Sequence, residues 1–264
     1  MYQWNAPEYQ ASSANQKEWA IELLSKLDLK ESDRVLDIGC GDGEITALIA
    51  QKVPRGCAVG IDSSGDMIRL ARRRFPVDHY SNLSFLLKDA RAMDFTGEFD
   101  AVFSNACLHW VTDHMPVLEG VRRSLKPSGR MLLQMGGRGN AATILGIMDG
   151  IVKEDKWSRF FEGFTFPYGF YGPEEYRRWL GVLDFKAARV ELVPKDMVHA
   201  GEKELASWLR TTWLPYTQRI PELLRDEFVL EVVDRYSREY PPDGDGNIHV
   251  SMVRLEVEAE KGMG

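Results

Sequence analysis

The stretch Arg34-Val-Leu-Asp-Ile-Gly-Cys-Gly-Asp-Gly-Glu-Ile-Thr46 decides the fold. Its apolar run, Val35, Leu36 and Ile38, reads as a short strand ending in Gly39, Gly41 and Gly43. Ile45, Leu48 and Ile49 follow at helical spacing, so a helix opens directly from the glycines. Strand, tight glycine turn and helix in that order make a place where backbone can approach a ligand closely. Asp37 is the unusual member. A loop built only to cradle phosphates would not put a carboxylate at the end of its strand.

Working outward, a helix near 14–28 carries Trp19, Ala20, Leu23, Leu24 and Leu27 on one face. Downstream, Cys57 to Asp62 and Leu83 to Asp89 read as strands that each end in an acid. Ser63 or Ser64 can cap a helix with Met67, Ile68 and Ala71. Phe99 to Ser104 reads as a fourth strand. A helix from about Asp113, with Leu118, Val121 and Leu125 on one face, stops at Lys126-Pro-Ser-Gly129, and Arg130 to Met135 reads as a fifth strand. Strands and helices alternating at this spacing imply parallel βαβ units with right-handed crossovers. Such sheets bind ligands beyond the carboxyl ends of the strands, where the glycine loop and the acids all lie.

After Gly139 the pattern loosens. Residues 140–182 are rich in aromatics, from Trp157, Phe160, Phe161 and Phe164 to Tyr168, Phe170, Tyr171, Tyr176 and Trp179. A strand is expected over 184–193, and two helical runs between about 201 and 240, the second opened by Pro221 and lined by Leu224, Phe228, Val232 and Tyr236. Ile248 to Ala259 alternates strongly, with a change of phase between Met252 and Val253 that predicts a bulge or sharp twist. His249 falls within this strand and reads as structural.

The 44% apolar content describes a packed globular chain, not a disordered one. A net charge of −7 and no Lys/Arg run longer than Arg72 to Arg74 argue against a nucleic-acid partner. Cysteines 40, 57 and 107 form no metal-type pair and fit reduced thiols, so no metal is expected. With neither a leader-like N-terminus nor a span-length apolar run, a cytoplasmic protein with no membrane partner is expected.

The glycine loop discriminates between two cofactors. The dinucleotide fingerprint needs a third glycine at position 44, and that position is Glu44, whose carboxylate would be repelled by a pyrophosphate. S-adenosylmethionine carries an ammonium and a sulfonium and no phosphate, so it suits a loop preceded by Asp37. Asp62 can accept both ribose hydroxyls, Asp89 can accept from the adenine amino group, and the glycine turn leaves room for the methionine part.

Val35-Leu-Asp-Ile-Gly-Cys-Gly-Asp-Gly43, Gly60-Ile-Asp62, Lys88-Asp-Ala90 and Leu125-Lys-Pro-Ser-Gly129 together resemble the motif series of class I S-adenosylmethionine-dependent methyltransferases, over roughly residues 30–136. Trp4-Asn5, Tyr9, Ser104-Asn-Ala-Cys-Leu-His-Trp110, Gln134-Met135 and the tail from Leu209 to Pro241 are similar to the trans-aconitate methyltransferase group. Trp213-Leu-Pro-Tyr216 and Arg219-Ile-Pro221 also look like juvenile hormone acid methyltransferases. The chain departs from the trans-aconitate pattern in carrying His109 where glutamine is common.

The resemblance implies a doubly wound, mostly parallel seven-stranded α/β sheet of the Rossmann-like methyltransferase kind, with a helical, aromatic-rich cap. It divides the chain into a lid and first helix (1–30), a cofactor-binding core (31–139), cap insertions (140–182 and 201–240) and the last core strands (183–200 and 247–260). It implies cofactor contacts at Tyr9, Asp37, Gly39, Cys40, Gly41, Asp62, Ser63, Met67, Asp89, Ala90, Asn105 and Ala106, with S-adenosylhomocysteine as product. His109 and Trp110 are expected at the reacting centre, and Arg138, Tyr168, Tyr171 and Trp213 around the acceptor.

Both similar groups methylate carboxylates, so the expected acceptor is a small carboxylic acid and the protein a monomer or weak homodimer. An ionised carboxylate needs no base, which would leave His109 to orient it, with Arg138 or Arg210 as the cation; an amine or phenol acceptor would make His109 the general base. The alternatives are N- or C-methylation, a NAD-dependent dehydrogenase, and a non-catalytic cofactor-binding protein.

Overall fold

The computed structural model describes residues 14–262; Trp4, Tyr9 and the lid expected around them lie outside the described residues. Seven strands form one sheet in the order β3-β2-β1-β4-β5-β7-β6. They are β1 (Arg34–Ile38), β2 (Cys57–Asp62), β3 (Leu83–Leu87), β4 (Phe99–Asn105), β5 (Leu125–Gly136), β6 (Phe185–His199) and β7 (Ile248–Lys261). The neighbours β1·β2, β1·β4, β2·β3 and β4·β5 are parallel, and β7 runs antiparallel to β5. Strand order reverses between β1 and β4, which puts the ligand crevice at the carboxyl end of β1, at the glycine turn.

Alternation along the strands feeds two cores. Val35, Ala101, Phe103 and Leu132 pack on one face with Leu23 and Leu24 of α1 (Ala14–Ser25), Ala47 and Ile49 of α2 (Glu44–Lys52) and Ile68 and Ala71 of α3 (Gly65–Arg74). Leu36, Ile38, Val102, Met131 and Leu133 point the other way, onto Val117, Leu118 and Val121 of α4 (Met115–Ser124) and Tyr176 and Leu180 of α7 (Pro173–Val182). The sheet is therefore doubly wound, as expected. Ser64 caps α3 by accepting from the Met67 N–H at 3.3 Å, and Asn82 closes α2 by donating to the Ala50 and Val53 carbonyls.

Leu125 departs from the expectation that it ends a helix. It begins β5, paired with Phe99, and the register with β4 then shifts before Ala101 pairs with Arg130. Lys126-Pro-Ser-Gly129 is taken up as an irregularity of that strand, with Ser128 at φ 57°. At the far end, the β5·β7 ladder runs from Arg130↔Glu260 to Gly136↔Arg254, and the Val253 N–H bonds to the Asn140 side chain at 3.2 Å.

The chain divides into two compact units. The first comprises Gln16–Arg138, Tyr168–Val193 and the tail from Arg254, and holds the parallel strands and the pocket described below. The second comprises Gly139–Pro167 and Pro194–Val253. It contains α5 (Ala142–Ile151), α6 (Asp155–Ser158), α8 (Glu202–Thr212), α9 (Leu214–Thr217) and α10 (Glu222–Glu239). Trp157 packs edge-on to Phe228, with ring centroids 5.2 Å apart, while Phe161 and Phe164 pack on Tyr216, so these aromatics are this unit's own core. The aromatic segment is thus shared between the units, and Tyr168 to Trp179 belong with the sheet.

Candidate active site

All three glycines of the turn adopt positive φ, 77° at Gly39, 52° at Gly41 and 85° at Gly43, which L side chains rarely tolerate. A Cβ on Gly39 would lie 2.2 Å from Sγ of Cys107, and one on Gly43 would lie 2.6 Å from the Phe85 ring. A Cβ on Gly41 would meet nothing within 4 Å. Two of the glycines therefore let the turn pack down on the sheet, whereas Gly41 faces open space.

Beside the turn lies a pocket of about 150 Å³. Its walls are Ile38 and Gly39 after β1, Ile61, Asp62 and Ser63 after β2, Lys88, Asp89, Ala90 and Arg91 after β3, and Cys107, Trp110 and Val111 after β4. Of the residues expected from the sequence, it brings together Gly39, Asp62, Ser63, Asp89, Ala90 and Trp110. Lys88, Arg91, Cys107 and Val111 were not singled out as site residues; their only signal was adjacency to residues that were.

Asp62 is held ready by two backbone donors. The Gly41 N–H gives to Oδ2 at 3.1 Å and the Ser64 N–H to Oδ1 at 2.8 Å, while burial raises its carboxyl above the usual range. Each oxygen keeps a lone pair, the arrangement a ribose cis-diol needs. Asp89 is turned to Arg91, whose backbone N–H donates at 2.8 Å and whose guanidinium donates to both carboxylate oxygens. That pairing holds its carboxyl below the usual range.

Asp37 sits behind the pocket wall, 2% exposed, and accepts from the Thr46 hydroxyl at 2.6 Å. Burial lifts its carboxyl to about 7, so near neutrality it lies between charged and neutral. Glu44 opens α2 and is paired with Lys17 and Arg74. Cys40 and Met67 are buried, Asn105 ends β4, and Ala106 holds φ 53° with its N–H on the Gln134 carbonyl at 2.9 Å. Open space at Gly41 and two free lone-pair sites on Asp62 fit S-adenosylmethionine, and neither offers a phosphate a donor. Among the described residues no group of His, Cys, Asp and Glu could hold a metal ion.

His109 is 9% exposed in the turn after β4. The Gly136 N–H donates to its Nδ1 at 3.4 Å, which puts the ring proton on Nε2. Burial, then the charges of Arg254 and His114, hold its pKa well below the usual imidazole value, so the ring is neutral. Trp110, Tyr168 and Phe170 surround it, with ring centroids 5.8, 6.1 and 6.1 Å away. Tyr171 instead packs on His114 and Trp179 and donates its hydroxyl to the Thr112 carbonyl. Arg138 is exposed and paired with Glu174 and Glu175. Trp213 lies in the second unit, buried between Trp208 and Tyr216.

Behind His109 is a clamp that sequence reasoning missed. His114 Nε2 lies 2.9 Å from the carbonyls of both Leu108 and Val111, the residues flanking His109-Trp110. The Gly169 N–H bonds to the His109 carbonyl at 2.9 Å, so the strip carrying Tyr168 and Phe170 is tied to the same turn.

A doubly wound sheet with a glycine turn and a half-buried carboxylate at its switch-point crevice is the arrangement of a nucleoside-binding α/β domain. The methyltransferase domain family matches residues 29–161. A trans-aconitate 2-methyltransferase of Variovorax paradoxus is 29% identical over 99% of each chain, and an uncharacterised methyltransferase of Schizosaccharomyces pombe is 30% identical over 79% of each. Among solved structures, a protein from Bacillus halodurans assigned as a methyltransferase is similar with TM-score 0.64 at 16% identity, covering 92% of this chain and 98% of that one. Phosphoethanolamine N-methyltransferase 2 of Haemonchus contortus, in complex with S-adenosylhomocysteine, gives TM-score 0.61 at 18% identity over 97% of this chain and 57% of that one. The last two likenesses concern the fold. The chain belongs to the methyltransferase domain family, and it is an S-adenosylmethionine-dependent methyltransferase.

Proposed function

We propose that this enzyme methylates a carboxylate oxygen of a small molecule, giving a methyl ester. The observation that carries this reading is His109: a buried, neutral imidazole whose Nδ1 is taken by a backbone N–H. A ring so held is a poor base and a good hydrogen-bond donor through Nε2. It suits an acceptor that is already ionised and only has to be oriented. The relatives named for trans-aconitate act on a carboxylic acid, which supports the same class.

S-adenosylmethionine, when bound, supplies a methyl group on a sulfonium, open to in-line displacement. Asp62 would hold its ribose, Asp89 its adenine amino group and the turn at Gly41 its methionine part, with Asp37 balancing positive charge from behind. Trp110, Tyr168 and Phe170 keep water from the acceptor, and alignment of this kind contributes up to about 7–11 kcal/mol to a barrier. The free thiols of Cys40, Cys57 and Cys107 fit a cytoplasmic location.

The test is a pH–rate profile for methyl transfer to carboxylic acids. At saturating S-adenosylmethionine, where the bound cation has already displaced the proton of Asp37, a rate flat from about pH 6 to 9 is expected, because neither the acceptor nor His109 titrates there. A rise with a pKa near 6.5 that disappears in His109→Ala would make His109 a general base and the acceptor an amine or phenol.

A further inference from the structure

The three acids at or beside the carboxyl ends of β1, β2 and β3 are held in three different ways. Asp37 is sealed behind the pocket by Thr46, and among the described residues Asp62 accepts from the backbone N–H groups of Gly41 and Ser64. Of the three, Asp89 alone carries a guanidinium. Arg91 Nε lies 3.0 Å from its Oδ1 and 3.2 Å from its Oδ2, and Nη2 donates to Oδ2 at 2.6 Å. Both residues line the pocket, so these distances set the guanidinium against its wall.

The pair is not needed to build the turn that bears it. Asp89 already caps the short turn Ala90–Ala92 by accepting the Arg91 backbone N–H at 2.8 Å. Upstream, the Lys88 N–H bonds to the Asp62 carbonyl at 3.0 Å. Downstream, Met93 is buried in the core with Val117 and Leu118, and Arg123 donates to its carbonyl. The turn is thus seated from both ends, while the Arg91 side chain stays 60% exposed. An ion pair so exposed adds little to stability. Its effect falls on the carboxylate, whose plane is fixed by a two-pronged donor and whose charge is kept, because the Arg91 hydrogen bonds lower its pKa.

We propose that Arg91 sets the base preference of the cofactor site: by clamping Asp89 it keeps the carboxylate in place as an acceptor for the 6-amino group of adenine and against a 6-oxopurine. The inference rests on the assignment of the adenine to Asp89 and adds what makes that assignment selective. An ionised carboxylate can only accept hydrogen bonds. It pairs with an amino group, which donates, and repels a carbonyl oxygen at the same position, which does not. A carboxylate free to swing into water would lose the first effect and relax the second. Arg91 acts through Asp89, so its role is positioning.

The experiment is calorimetry with S-adenosylhomocysteine and its 6-oxo counterpart, S-inosylhomocysteine, as probes. Wild type is expected to prefer the adenosyl form about 30-fold or more, the worth of a hydrogen bond to a charged group. Arg91→Met, which keeps the stem and removes the fork, is expected to cut that preference about fivefold or more with an unchanged urea midpoint. Arg91→Lys, which keeps the charge but not the fork, is expected to fall between. Asp89→Asn, whose amide can donate to a carbonyl, is expected to bring the two affinities level or reverse them. A side chain that only supported the turn would weaken both probes equally. A wild-type preference in both Arg91 variants, with that of Asp89→Asn altered, would therefore overturn the role of Arg91 and spare the adenine assignment. A wild-type preference kept in Asp89→Asn, or no preference in wild type, would overturn the assignment and the inference together.

Discussion

Tyr176 donates its hydroxyl hydrogen to Nδ1 of His114 across 2.6 Å. The direction follows from the other ring nitrogen, which faces two carbonyls at 2.9 Å and must carry the hydrogen. Since those carbonyls flank His109-Trp110, Tyr176 and His114 together fix the turn that carries these two residues. Tyr176→Phe leaves a buried ring nitrogen without its donor, and is expected to cost about 1–3 kcal/mol in urea unfolding and to lower methyl transfer while sparing cofactor binding. An unchanged midpoint and rate would mean the clamp does not matter.

Asp37 provides a second prediction. Its folded carboxyl is raised to about 7, above the ordinary value of about 4, so the folded state holds a proton that the unfolded state has released. Its contribution therefore falls as pH rises from about 4 to 7. Asp37→Asn keeps an acceptor for Thr46 and removes the burden of ionisation. It is expected to stabilise the protein by about 2–4 kcal/mol at pH 8, with little gain near pH 4. Binding of the cationic cofactor to wild type should release a proton near pH 7, read as a dependence of binding heat on buffer ionisation enthalpy. A heat independent of buffer would show that Asp37 does not respond to the ligand.

The histidines act in the opposite sense. Burial lowers His109, His114 and His199, the last to about 4, so the unfolded chain takes up protons first as pH falls below about 6.5. Stability contributed above that pH is lost on the way down. His199 has neither ring nitrogen hydrogen-bonded among the described residues and packs against Trp208. His199→Phe is expected to raise stability by about 1–2 kcal/mol at pH 7, and by more at pH 5, in urea titrations at the two pH values. Destabilisation at both would show that the imidazole is needed there.

The glycine turn offers a paired test. Gly39→Ala drives a Cβ into Cys107 and is expected to destabilise the fold by about 3 kcal/mol or more. Gly41→Ala meets no protein atom and bears only a strain of about 1–2 kcal/mol, so it should fold but bind S-adenosylmethionine at least about tenfold more weakly. Equal loss of stability in both variants would remove the distinction between the packing glycine and the ligand-facing one.

Much of this was legible because the sheet is written in local pattern. Val35 and Leu36 part to opposite faces, each of the first three strands ends at or within two residues of a glycine or an acid, and Ser64 caps the helix it precedes. What local pattern could not show was where a polar residue ends up. Asp37 reads as part of a ligand-facing loop but is sealed behind it by Thr46. Arg254 and Glu256 read as a wet face, because Lys26 and Arg189, which cover Glu256, come from distant parts of the chain. The aromatic segment reads as one cap, yet Trp157 and Tyr168 belong to different compact units. His114 carries no signal in local pattern, because its partners are backbone carbonyls and a tyrosine 62 residues away.

The most direct test of the central claim is the alkali lability of the methyl group transferred from labelled S-adenosylmethionine to a panel of carboxylic acids, amines and phenols. A carboxylate acceptor gives an ester, so mild base should release the label as volatile methanol. Label transferred efficiently but retained after base treatment, as on nitrogen, carbon or a phenol, would contradict it.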